Sequence, residues 1–306
     1  MDFTAQQMMI ERKVEEKRTT MINSLIKPLG EPETGKRTYS LVGRKEKPES
    51  IICNFCKKEM EYTLNDGPLQ YWRPPGRCKC EKATEYWEKY DKYQKQIEDE
   101  CEKLEDIEKR KLKIDRLLAT SNLGRRFQNR TFETFEINKS NKAIYEKCYN
   151  YARDFSQYKE QGAGLFFTGG VGTGKTHLAA AIANYLINDL VIPVKFGNVT
   201  SLLSEIRSTY GEYAKETEAE VIYTLSNVDL LIIDDLGKEN RTEWSNSIIY
   251  TIINNRYENY KPIIVTTNLA IKELENRVGE ATVSRLIEMC EGIKMDGLDY
   301  RKARLI

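Results

Sequence analysis

Residues 165–183 read LFFTGGVGTGKTHLAAAIA. Leu165, Phe166 and Phe167 have the character of a buried strand, and the alanines from Ala179 onward that of a tightly packed helix. Between them Gly169, Gly174, Lys175 and Thr176 meet the spacing G-x-x-x-x-G-K-T, in the strand-to-helix context that this motif requires. Glycines there let the backbone curl until its N–H groups point inward at phosphate oxygens. A helix beginning near Lys175 adds the positive end of its dipole. Lys175 would then reach the β- and γ-phosphates, and Thr176 would offer its hydroxyl to magnesium. The expected nucleotide-binding stretch is Gly169, Gly170, Val171, Gly172, Thr173, Gly174, Lys175, Thr176 and His177. His177, the only histidine, is expected to pack along the helix rather than to do chemistry.

A phosphate loop needs an acid at the end of another strand, and VDLLIIDDLG (228–237) supplies one. Leu230 to Ile233 make a buried strand, and Asp234 emerges at its carboxyl end, where it can hold magnesium through water. Asp235 is then placed to polarise a water for attack on the γ-phosphate. IIVTTNLA (263–270) ends a further strand in Thr267 and Asn268. The Asn268 amide either orients the same water or starts a turn. Arg285, on a helix in TVSRLIEMC, and Arg301, in GLDYRKARLI, are either surface arginines or charge-stabilising groups at a shared site in a ring or filament.

Working outward, residues 4–26 can form one helix, and KPLGEPETGKRTYS (27–40), with two prolines and two glycines, reads as a linker. Cys53 and Cys56, then Cys78 and Cys80, form two tight pairs separated by 21 residues. Four thiolates so arranged can surround one zinc ion, and a segment this small and polar would need such a clamp to fold. Four unconnected thiols are the alternative. Lys57, Lys58, Arg73, Arg77 and Lys79 surround the pairs, and Tyr71 and Trp72 beside Pro74 and Pro75 form a possible anchor, so the module suits either nucleic acid or a docked protein. From 82 to 118, Tyr86, Tyr90, Tyr93, Ile97, Leu104, Ile107, Ile114 and Leu118 fall on one helical seam. Either a coiled coil or a solvated helix docked on the next domain fits. After about 138, helices alternate with strands expected at 165–168, 193–198, 230–234, 263–267 and 292–295, which predicts an α/β fold with a parallel sheet. The expected domains are 1–49, 50–81, 82–120 and 121–306.

The totals bound the rest. With 306 residues, the chain can build one sizeable core and a smaller module. Its formal charge of +1 gives no global field toward nucleic acid. No apolar run approaches the ~20 residues of a membrane helix. The start, MDFTAQQMMIERKVEEKR, is too charged for a secretory signal. Seven cysteines, four of them in close pairs, suit a metal site in a reducing cytosol better than a disulfide framework.

Taken together, GGVGTGKTHLA, LLIIDDLG, VTTNL, SRL and DYR resemble the AAA+ ATPases of the bacterial helicase-loader family, the DnaC/DnaI type, over about 125–306. FQNRTFETFEI (127–137) is similar to the segment leading into that domain, where Phe132 and Phe135 would form the adenine side of the pocket. The resemblance implies an AAA+ P-loop NTPase domain with a five-stranded parallel sheet and ATP at subunit boundaries, hence self-association. Arg285 would be the arginine finger and Arg301 the second sensor. It further implies ATP-dependent delivery of a hexameric replicative helicase to single-stranded DNA, with hydrolysis as the release switch and a zinc-binding front end that docks on the helicase. A transposition-helper ATPase of the IstB type, binding duplex DNA and a transposase, is the alternative. Many AAA+ motors end the acidic strand in Asp-Glu, whereas this chain has Asp234 and Asp235; the shorter side chain predicts slow hydrolysis. VTSLLSEIRSTYGEYAKE (199–216) is the expected DNA-contacting insert, through Ser201, Arg207 and Tyr210.

Overall fold

The computed structural model describes residues 3–26, 47, 49–65, 71–73, 75–211, 214, 216–238, 242–297 and 299–300. Arg301 therefore lies outside the described residues. The chain divides into two units, Met1–Arg110 and Lys111–Ile306.

In the first unit, α1 (Phe3–Met21) runs into a π-helical turn at Ile22–Ile26. Two short antiparallel hairpins follow, β1 (Ile51–Ile52) with β2 (Glu59–Met60), and β3 (Thr63–Asn65) with β4 (Tyr71–Arg73). Helix α2 (Glu81–Thr120) begins next to the second cysteine pair. Its buried residues are Ala83, Tyr86, Ile97 and Cys101, whereas Ile107 is 61% exposed. The expected seam is thus interrupted at Ile107, and the buried Cys101 lies off the expected spacing.

The second unit is built on a five-stranded parallel sheet of β5 (Gly164–Gly169), β6 (Val194–Asn198), β7 (Leu230–Asp234), β8 (Ile263–Thr266) and β9 (Cys290–Met295), as the sequence led us to expect. The spatial order is β6-β7-β8-β5-β9. Strand β9 begins two residues before the expected Gly292, because Cys290 and Glu291 continue the pairing along β5. Alternation along the strands splits the core in two. Leu165, Phe167, Ile232 and Ile264 face α4 (Lys142–Arg153), α5 (Phe155–Gln161) and α6 (Lys175–Asn188). Phe166, Leu231, Ile233 and Val265 face α7 (Val199–Arg207), α8 (Glu218–Asn227), α9 (Glu243–Glu258), α10 (Ile271–Val278) and α11 (Glu280–Met289). Ile114, Leu117 and Leu118, in the last turns of α2, pack against the first of these cores, so that end of the helix is docked rather than free. Among the described residues no helix is long and apolar enough to cross a membrane.

Two buried polar side chains tie the connections down. Asn184 on α6 donates to the carbonyls of Phe127 (2.9 Å) and Arg130 (2.8 Å), fixing the segment that leads into the domain. Arg256 on α9 is fully buried and donates to the carbonyls of Leu225, Val228 and Pro262 at 2.8, 3.0 and 2.5 Å. It thereby joins the ends of α8 and α9 to the start of β8. Arg256→Ala would leave these carbonyls without their donor in the interior, at a cost of about 3 kcal/mol; calorimetry of the variant should show a lowered melting transition for the sheet unit.

Candidate functional site

The strand order puts β8 between β5 and β7, so the carboxyl ends of all three meet in one crevice. A cavity of about 670 Å³ opens there, lined by the whole loop Val171–His177 and by Asp234, Asp235 and Asn268. The loop takes its shape from glycine. Gly174 has φ 101°, and a Cβ on it would stand 3.0 Å from the Phe135 ring. Gly172 has φ 80° and lies against Asp299. Thr173 braces the turn by donating to the Gly170 carbonyl at 3.0 Å.

Lys175 is 5% exposed, and its ammonium donates to the carbonyls of Gly169 (2.9 Å) and Gly170 (2.6 Å) and to Asn268 Oδ1 (2.7 Å). The other end of the same amide, Asn268 Nδ2, donates to Asp235 Oδ1 at 2.9 Å. Asp235 Oδ2 takes Lys238 Nζ at 2.7 Å. One amide on β8's exit thus links the lysine of the β5 loop to the acid that follows β7. Beside it, Thr176 donates to Asp234 Oδ1 at 2.8 Å, and so does Thr266 at 2.7 Å. Burial pushes the Asp234 carboxyl above its ordinary range, opposed by those two hydroxyls and reinforced by the neighbouring Asp235. A buried carboxylate held beside a phosphate loop and a threonine hydroxyl fits a divalent cation, which would relieve the cost of its charge.

His177 Nε2 makes a 3.0 Å bond with the Thr131 carbonyl, and its ring meets Phe135 edge-on at 5.1 Å. It pins the 131–135 segment across α6, the packing role expected of it, while also lining the cavity. Phe135 lines the cavity too. Phe132 does not: it is 3% exposed and packs among Tyr145, Tyr149 and Tyr185. Arg285 lies outside the cavity, its guanidinium bonded to Asn254 Oδ1 (2.7 Å) and the Ala281 carbonyl and standing over Tyr250 and Tyr257. Of the expected DNA-contacting residues, Ser201 is spent on capping α7 through Asn198. Arg207 stacks over Trp244 at 4.6 Å, and Tyr210 is exposed with its hydroxyl shared between Trp244 and Glu218. Sequence reasoning missed Thr266 and Tyr300. The one signal for Thr266 is a hydroxyl residue inside an otherwise apolar strand. Tyr300 comes from a distant part of the chain, donates its backbone N–H to the Gly172 carbonyl and bonds Asn138.

In the first unit the cysteine pairs converge. The four Sγ atoms lie within 4.8 Å of one another, with Cys53 and Cys80 4.0 Å apart and Cys56 and Cys78 3.5 Å apart. Zinc–sulfur bonds of roughly 2.3 Å in a tetrahedron put sulfurs about 3.8 Å apart, so the cluster fits that ion. Cys53 and Cys56 sit on a tight turn closed by bonds from Lys57 N to Cys53 O and from Cys53 N to Lys58 O, both 2.9 Å. The Cys56 backbone N–H, with help from that of Phe55, brings the Cys53 thiol down to about 7 against the opposing effect of burial. Arg77 stacks on Trp87 at 4.2 Å and makes a two-pronged bond to Asp91, which fastens the second pair to the first turns of α2.

Two outcomes follow from this geometry. An acid whose folded value is raised gives most stability below the ordinary carboxylate range and loses it as pH rises through the raised value. Asp234→Asn should therefore melt at the same temperature as wild type or higher at neutral pH without nucleotide, and lose the magnesium-dependent part of nucleotide protection; differential scanning fluorimetry with and without magnesium reads both. Metal analysis should find about one zinc per chain, with little left in Cys56→Ser, and chelation should change Trp87 fluorescence.

The model of one protein family, described as IstB-like ATP binding protein, matches residues 81–305. The replicative helicase loader DnaC of Buchnera aphidicola subsp. Schizaphis graminum is 30% identical over 184 residues, covering 58% of this chain and 72% of that protein. The phage-like element PBSX protein XkdC of Bacillus subtilis is 32% identical over 187 residues, covering 58% and 68%. A crystal structure of the DnaC helicase loader matches with a TM-score of 0.51 at 29% identity, over 56% of this chain and 99% of that one. The phosphate loop, the acidic strand end and the bridging amide all lie inside the matched region, and the chain belongs to the IstB-like ATP-binding protein family.

Proposed function

We propose that this protein is an ATP-dependent loader of a replicative DNA helicase, acting in the cytoplasm of a bacterial cell or a phage-infected bacterium. The observation that carries the reading is the polar bridge Lys175–Asn268–Asp235, which couples the phosphate loop to the acid in a chain akin to DnaC loaders. Lys175 would leave the loop carbonyls for the β- and γ-phosphates of ATP. Its departure would free the Asn268 amide to orient a water, with Asp235 as the group that draws off the water's proton. Thr176 and Asp234 would hold magnesium, which neutralises charge on the phosphates. Arg285 would reach the nucleotide of a neighbouring copy, and Arg301 would close over its own. The zinc module would grip the hexameric helicase, and the ATPase unit would bind single-stranded DNA. Asp235, one methylene shorter than glutamate, suits slow turnover and hence a release switch.

Membership of an IstB-like family favours a second reading, a transposition helper that binds duplex DNA and a transposase. Mixing the protein with the replicative helicase of its host, with and without ATP, separates the two by size-exclusion chromatography with light scattering. A stable complex that dissociates on hydrolysis supports the loader; no complex under either condition rejects it. Lys175→Ala should weaken ATP binding by about 100-fold and leave the helicase complex locked. Unchanged release by that variant would sink the switch.

A further inference from the structure

Thr266 is bonded to two residues that line the cavity, Asp234 and Asp235. It is the last residue of β8, the strand between the phosphate-loop strand and the acidic strand, and it is fully buried. Its hydroxyl has one proton to give and gives it to Asp234 Oδ1 at 2.7 Å. The same oxygen accepts the backbone N–H of Asp235 at 2.9 Å. Its carbonyl accepts the N–H of Leu236 at 2.8 Å. Three consecutive residues, the last of β7 and the two that follow it, are thus held by one threonine.

What those bonds hold is a conformation that the chain would not adopt unaided. Asp235 stands at φ 55°, in the left-handed region that non-glycine residues seldom enter. In that conformation Asp234 and Asp235 both line the cavity, one bonded to Thr176 and the other to Asn268. The bonds to the Asp235 and Leu236 N–H groups hold the turn from the side of β8. The bond to Asp234 Oδ1 also keeps that carboxylate in place when Thr176 turns its hydroxyl toward a cation.

We propose that Thr266 is a positioning residue for hydrolysis: its hydroxyl sets the aim of both acids, Asp234 through the carboxylate and Asp235 through the backbone. It acts through them and does not reach the nucleotide. This rests on the reading of the cavity as an ATP-hydrolysing site. A side chain filling space at the same point would need only its size and its methyl group, so the hydroxyl and the bulk make different demands.

The test uses the full chain and three substitutions, with binding of a fluorescent ATP analogue, magnesium-dependent thermal shift and steady-state turnover as readouts. Thr266→Val keeps the shape and removes the hydroxyl. It should bind nucleotide without magnesium within about twofold of wild type, while kcat falls about tenfold or more and half-maximal turnover needs more magnesium. Thr266→Ser keeps the hydroxyl and drops the methyl, and should restore turnover and the magnesium response to within about twofold. Should Thr266→Val not fold, Thr266→Cys, of similar size with a weaker donor and acceptor, carries the same expectation. Wild-type kcat and magnesium response in the valine variant would overturn the assignment. So would equal losses in the valine and serine variants accompanied by equal falls in melting temperature. If wild-type turnover is absent, or is unchanged in Lys175→Ala, the hydrolytic reading of the cavity fails and the assignment goes with it.

Discussion

The sheet unit depends on one constraint, that the carboxyl ends of β5, β8 and β7 lie side by side. The chain leaves β5 in the interior of the sheet, passes to the edge at β6, and returns through β7 and β8 before crossing to β9. That path inserts β8 between the strand of the phosphate loop and the strand of the acids. A single side-chain amide, Asn268, then spans the gap, accepting from Lys175 and donating to Asp235. With β5 and β7 adjacent, no side chain from a strand between them would link the lysine to the acid.

Lys175 is almost wholly buried, and its ammonium donates to two loop carbonyls and one side-chain amide. Carbonyl partners are weaker competitors for an ammonium group than phosphate oxygens. The loop is therefore braced by its own carbonyls, which phosphate oxygens can outcompete for the lysine. Asp234 shows the complementary economy: burial raises the cost of its charge, and two threonine hydroxyls lower that cost without supplying a cation.

The first unit follows a different logic. Two short hairpins and a turn bury little apolar surface, and residues as large as Ile52, Phe55 and Leu64 stay exposed. What gathers this segment is the convergence of Cys53, Cys56, Cys78 and Cys80, and the fastening of Arg77 onto Trp87 and Asp91 at the head of α2. A module of this size gains from cross-links what it lacks in core.

Much of this was legible from local pattern. The glycine spacing before Lys175, the apolar run ending in Asp234 and the paired cysteines are each encoded within a few consecutive residues, because a loop that wraps phosphate and a turn that presents two thiolates are local structures. Strands β5, β7 and β8 were legible because their short continuous apolar runs suit a strand buried on both faces. The long-range pairings were not legible. Nothing in IIVTTNLA says that Thr266 will meet Asp234, and nothing in FQNRTFETFEI separates Phe135, which borders the cavity, from Phe132, which joins the tyrosines. Nor does the heptad-like spacing in α2 reveal that Ile107 is exposed and Cys101 buried. By itself the sequence determined which strands and loops form and which chemistry each can offer. The tertiary structure decided which strand ends are neighbours, because side-chain hydrogen bonds between residues tens of positions apart exist only once the order of the sheet has been set.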